Sequence, residues 1–178
     1  MVGLMPQDDK YIFNKIDGLR IYADQHAEII LARMRENEED AREYASRAFR
    51  NPDFVSAMFY ASAEGYLKED RLRDTAEALQ RDPEAFSKLR GFWFSPNASR
   101  AAQPHIDKLA DCLREHADLV VIRTRYQQLH QQAIEATRLH AGRRVEALRE
   151  LEHGRDFCDA TRDVRLQHRA VEPKRAAL

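Results

Sequence analysis

Cys112, His116, His130 and His140 all fall in the stretch that runs from Ala98 past Glu152, and thiolate and imidazole are the usual protein donors to zinc. Cys112 and His116 are four residues apart, one helical turn, so both can share a helix face. His130 lies fourteen residues beyond His116, too far to join them on one ion without donors from other elements. "ELEH", Glu150 to His153, matches the Glu-x-x-His unit of di-iron bundles. Such centres need two of these units plus further inward carboxylates, and the chain has no second unit. There is no glycine-rich phosphate loop, no Gly-x-Ser-x-Gly elbow and no His-Glu-x-x-His. The expectation is a protein without a catalytic site, metal or cofactor of its own.

Composition narrows the class further. The 178 residues suit one ordinary domain with a flexible end, and 29 basic residues against 30 acidic ones leave a net charge of −1. That balance argues against wholesale nucleic-acid binding, which calls for a strong positive excess. No apolar run approaches the roughly 18 residues that cross a bilayer, and "MVGLMPQDDKYIF" lacks the basic start and apolar centre of a secretory signal. Cys112 and Cys158 have neither metal-site pairing nor the numbers of a disulfide framework, so both read as structural thiols.

The elements that would hold these residues are helices. Ile12, Ile16, Leu19, Ala23, His26, Ile30, Met34, Ala41, Tyr44 and Ala48 recur at three- and four-residue steps, the stripe of one long amphipathic helix. "RNPDF" ends it, because Pro52 biases Asn51 away from helical geometry while itself suiting a helix start. The next segment carries Gly65 near its middle, which marks two shorter helices or one with a weak point. Asp82-Pro83 opens a short turn that closes at Gly91. A second long helix is expected from about Ala98 to beyond Glu152, with Ile106, Leu109, Leu113, Ala117, Val120, Tyr126, Leu129, Ala133, Ala136, Leu148 and Leu151 facing inward. Nothing alternates with period two, so no sheet is expected. A helix of forty residues spans about 60 Å. The pattern therefore predicts an all-α fold: an elongated antiparallel four-helix bundle with a helical cap or hook at one end.

The stretch "RDPEAFSKLRGFWFSPNASR", residues 81–100, interrupts that pattern with two prolines, a glycine and three adjacent aromatics. Phe86, Leu89, Gly91, Phe92, Trp93 and Phe94 either seal the end of the core or form an exposed patch for a partner, and the residues alone leave both open.

The order of these features resembles a known module. "NPDF" at 51–54, then "LRDTAEALQRDPEAFSKLRG" at 72–91, then "ASRAAQPHIDKLADCLREHADLVVIRTRYQQL" at 98–129, is similar to the BID domain, the delivery module of type IV secretion substrates. Pro83, the turn from Phe86 to Gly91 and Pro104 stand at the places of that family's proline, its glycine-containing turn and the proline early in its long helix. Ser87 stands where the family has the first glycine of the turn. The likeness covers roughly residues 40–155. It implies a four-helix bundle topped by a hook, found at the C-terminal end of TraA-type conjugative relaxases and of secreted effectors. The implied partner is the coupling-protein ATPase of the secretion machine. The implied location is the bacterial cytoplasm before export and a recipient or host cell after it.

A bundle over 1–163 then leaves 164–178 as a flexible basic tail, where Arg165, Arg169, Lys174 and Arg175 face only Glu172. Such an end suits an acidic receptor surface. The competing reading is a plasmid-associated helical DNA-binding or regulatory protein. It rests on Arg123, Arg125, Arg138, Arg143 and Arg144 around Tyr126. Glu135, Glu146 and Glu150 are interspersed among them, and no recognition helix follows a tight turn, so nucleic-acid contact is expected to be weak. The module is expected to be a monomer; a self-associating helical scaffold is the third reading.

Overall fold

In the computed structural model of this chain, residues 6–91 and 97–170 are described. Among them the regular structure is helical, with one isolated antiparallel bridge and no strand. The elements are α1 (Pro6–Ala48), α2 (Asp53–Ala63), α3 (Glu69–Arg81), a 3-10 turn (Pro83–Ala85), α4 (Ala98–Thr137) and α5 (Ala141–Ala170).

α1 starts on a proline with Asp8 and Asp9 in its first turn and carries Arg47 in its last, so charge complements the helix dipole at both ends. It stops before Pro52, where Asn51 Oδ1 accepts a hydrogen bond from the Asp53 amide at 3.1 Å and turns the chain into α2. Gly65 takes φ +79°, a conformation that side chains disfavour, and separates α2 from α3. Of the two options the sequence allowed here, the chain forms two helices.

The second long helix is not continuous. α4 ends at Thr137 and α5 begins at Ala141, so the expected run from Ala98 past Glu152 breaks at Arg138–His140. No glycine or proline forces this break. The amides of Arg138 and Leu139 make short-range bonds to Glu135 and Ala136, and Arg144 Nη2 donates to the Thr137 carbonyl at 3.2 Å. That arginine is in turn held by both carboxylate oxygens of Asp9, each at 3.0 Å. The helix end is capped by a side chain that tertiary contacts fix, which local sequence does not announce.

The chain divides into two compact units, one of residues up to Leu31 and from Ile122 on, the other Ala32–Val121, with α1 and α4 contributing to each. The core of the Ala32–Val121 unit is apolar. Phe49, Val55, Phe59, Leu72, Leu79, Ile106, Leu109 and Leu113 are all 0–1% exposed, and α1, α2, α3 and α4 each supply part of the cluster. In the other unit Ile12, Ile16, Leu19, Ala23, Tyr126, Leu129 and Leu151 are buried. The long apolar stripes on α1 and α4 thus face inward as their periodicity predicts.

Candidate functional site

The segment after the 3-10 turn folds against the end of α1. Arg50 N–H donates to the Lys88 carbonyl (2.9 Å) and Arg90 N–H to the Ala48 carbonyl (2.8 Å), flanking the Phe49–Leu89 bridge. Two guanidinium groups reinforce it: Arg90 Nε donates to the Phe49 carbonyl at 2.9 Å, and Arg50 Nη2 to the Gly91 carbonyl at 2.8 Å. A helix leaves its last carbonyls without internal donors, and at α1 this hook supplies some of them. Phe86 and Leu89 pack on the apolar core, and the Phe54 ring bridges Phe49 (5.1 Å, edge-on) and Phe86 (5.7 Å). Gly91 is required twice over: its φ is +144°, and a Cβ there would lie 2.5 Å from Ala98 Cβ at the start of α4. Phe92, Trp93 and Phe94 lie outside the described residues, and with them most of the aromatic patch.

The histidines considered as metal donors are dispersed. His116 is 1% exposed with its ring edge-on to Phe59 at 4.7 Å, and burial pulls its pKa down to about 4. Its Nδ1 is buried without a hydrogen-bond partner. His130 donates from Nδ1 to the Arg20 carbonyl at 3.1 Å, and His140 stands exposed in the break between α4 and α5. Among the described residues no three His, Cys, Asp or Glu side chains gather as a metal site.

A polar cluster that the periodicity did not reveal joins α1, α4 and α5. Asp159 Oδ1 accepts hydrogen bonds from the Tyr22 and Tyr126 hydroxyls, both at 2.7 Å, and Oδ2 lies 2.9 Å from the Tyr22 hydroxyl. Arg162 closes the ring, donating to the Tyr126 hydroxyl at 3.2 Å and pairing with Asp159 at 3.6 Å. The His26 ring stacks on Tyr126 at 5.1 Å. Tyr126 is 0% exposed; burial first, then the bond to Asp159, raise its pKa above the ordinary phenol value. The neighbouring Cys158 thiol is pushed up to about 11, chiefly by burial, which keeps it protonated and unreactive. Tyr126 reads in sequence as one more apolar position, since its carboxylate partner is 33 residues away. The arrangement fixes helices; every hydroxyl in it is committed to a neighbour.

α5 continues through Ala170, so 164–170 is helix where a flexible tail was expected: no proline occurs between Val164 and Ala170, and Arg165, Leu166 and Gln167 are good helix formers. Arg165 and Arg169 therefore sit on α5, while Lys174 and Arg175 lie outside the described residues. Of the arginines that suggested nucleic acid, Arg125 lies over the Phe157 ring at 4.3 Å and donates to Thr161, and Arg144 serves Asp9 and the Thr137 carbonyl. Arg138 and Arg143 stay exposed. Two of the five cations are thus spent on internal contacts rather than presented together.

Among the described residues no helix is long and apolar enough to cross a membrane. No family model matches the chain, and neither a curated protein nor a solved structure is similar to it.

Proposed function

We propose that this chain is a non-catalytic translocation signal, a BID-like module that presents its protein to the coupling ATPase of a bacterial type IV secretion system. The observation that carries the reading is the hook. A proline-initiated turn leads into a short extended segment laid on the end of α1 and closed by Gly91, and a long helix from Ala98 carries Pro104 in its second turn. That is the order of parts the family resemblance implies.

Within the Ala32–Val121 unit, four helical segments surround one apolar core, which fits an antiparallel four-helix bundle topped by the hook. The direction of α3 against α4 supports it: Arg73 pairs with Asp118 (2.5 Å) and Gln80 with Asp107 (3.0 Å), so positions rise on one helix as they fall on the other. The folded surface supplies the docking shape. The basic residues beyond α5, Lys174 and Arg175, add attraction to an acidic receptor surface, which accelerates encounter most at low salt. On this reading the protein is made in the bacterial cytoplasm and leaves it for a recipient or host cell.

Removing residues 171–178 tests the tail without cutting α5. A reporter fused to the shortened chain should lose delivery while its helical circular dichroism stays unchanged. Undiminished delivery would remove the tail from the account.

A further inference from the structure

The hook leaves a strand edge open. Phe49 and Leu89 face each other across the bridge without bonding to one another. The bonds run between their neighbours, from the Arg50 amide to the Lys88 carbonyl and from the Arg90 amide to the Ala48 carbonyl. In an antiparallel ladder that pattern aims the N–H and C=O of the facing pair outward, away from each other. On the Phe49 side both groups are used: the amide donates to the Ala45 carbonyl in the last turn of α1, and the carbonyl accepts from the Arg90 guanidinium. On the Leu89 side neither group has a partner among the described residues. One donor and one acceptor thus stand side by side, spaced as a further strand would need them.

Side-chain alternation selects the kind of strand. Leu89 packs on the core, on the same face as the 0%-exposed Phe49, while its neighbours Lys88 and Arg90 are exposed, as is Arg50. Residues 48–51 and 87–91 hold these three cations and no carboxylate. Arg50 and Arg90 donate to the Gly91 and Phe49 carbonyls, and neither has a carboxylate partner among the described residues. Two copies of this edge would set like charges opposite one another, which disfavours self-pairing. An acidic strand meets the opposite situation.

We propose that residues 88–90 accept an extended acidic segment of a partner protein as a further antiparallel strand. Its central residue is apolar, shares the face of Leu89 and exchanges two backbone hydrogen bonds with it. The residues on either side lie on the face of Lys88 and Arg90 and are Glu or Asp. Main-chain bonds supply the attachment and charge supplies the choice of partner.

The test titrates the full ¹⁵N-labelled chain at low salt with acetyl-Thr-Glu-Val-Glu-Thr-amide. Two control peptides run beside it, one N-methylated at the valine and one with Lys in place of both Glu. Saturable shifts are expected for the amides of 48–50 and 87–91, with the Leu89 amide gaining protection from exchange. N-methylation leaves every side chain in place and removes one bond to Leu89, so it should weaken binding about tenfold. Lys88→Glu, at an exposed position, should weaken the Glu peptide and admit the Lys peptide. No saturable shift with the Glu peptide would overturn the proposal. So would equal binding by the N-methylated peptide, which would reduce the site to a charged surface. Broadening at 87–91 that grows with protein concentration in the absence of peptide would also overturn it, giving the edge to a second copy. Peptide binding requires no secretion machine, so its failure leaves the delivery reading standing, and failed delivery leaves the edge standing.

Discussion

The two compact units are held by different physics. In the Ala32–Val121 unit the largest buried groups are hydrocarbon, and its core is specified chiefly by volume: Phe49, Phe59, Leu72, Leu79 and Leu113 share one apolar cluster, with the buried His116 ring edge-on to Phe59. The unit of both chain ends puts a carboxylate, two phenols and a guanidinium where its three helices meet. There, helix placement is specified by direction, because a hydrogen bond tolerates less misalignment than an apolar contact does. The difference teaches that long amphipathic helices can be patterned alike and still be positioned by different means along their length.

Substitutions should separate the two regimes. The largest effect is expected from Leu113→Ala, which empties space in a 0%-exposed position and should cost about 3–4 kcal/mol in urea unfolding. Next comes acidity. His116 is held neutral, with a pKa near 4 against an ordinary 6.5, so the unfolded chain binds more protons between those values. The stability this confers is complete above about pH 6.5 and is lost as pH falls toward 4, a difference of about 3 kcal/mol. His116→Leu should flatten that part of the pH profile measured by thermal unfolding, and an unaltered slope would clear His116 of responsibility.

Gly91→Ala should cost about 2 kcal/mol, from the disfavoured φ and the contact with Ala98, and calorimetry on the variant would register it. Smallest is Tyr126→Phe. It keeps the ring and removes one hydroxyl from a network in which Tyr22 and Arg162 still hold Asp159, so about 1 kcal/mol is expected. Hydrogen exchange should place that loss in α5 and leave α2 and α3 as protected as before. A loss of protection spread evenly over both units would erase the distinction between them.

What the sequence revealed follows the same division. The α1 stripe, the break at Pro52, the split at Gly65 and the turn at Pro83 were legible because each rests on local chemistry: a period, a fixed φ, a missing Cβ. The break at Arg138–His140 was not, since its cap is Arg144 held by Asp9, distant in sequence. Nor was the cluster around Asp159, whose partners lie 33 and 137 residues away. The continuation of α5 beyond Val164 has a local basis, since arginine, leucine and glutamine favour helix, but the excess of positive charge and Pro173 in the same stretch point the other way.

The central claim, that the module is a signal read by a coupling ATPase, is tested most directly by delivery itself. Residues 1–178 fused to the C-terminus of a recombinase would be scored for transfer from donor bacteria with and without a functional coupling protein. Transfer that disappears when the coupling protein is removed is the expected result. A soluble, folded fusion that fails to move through several such systems, or that moves equally well without the coupling protein, would contradict it.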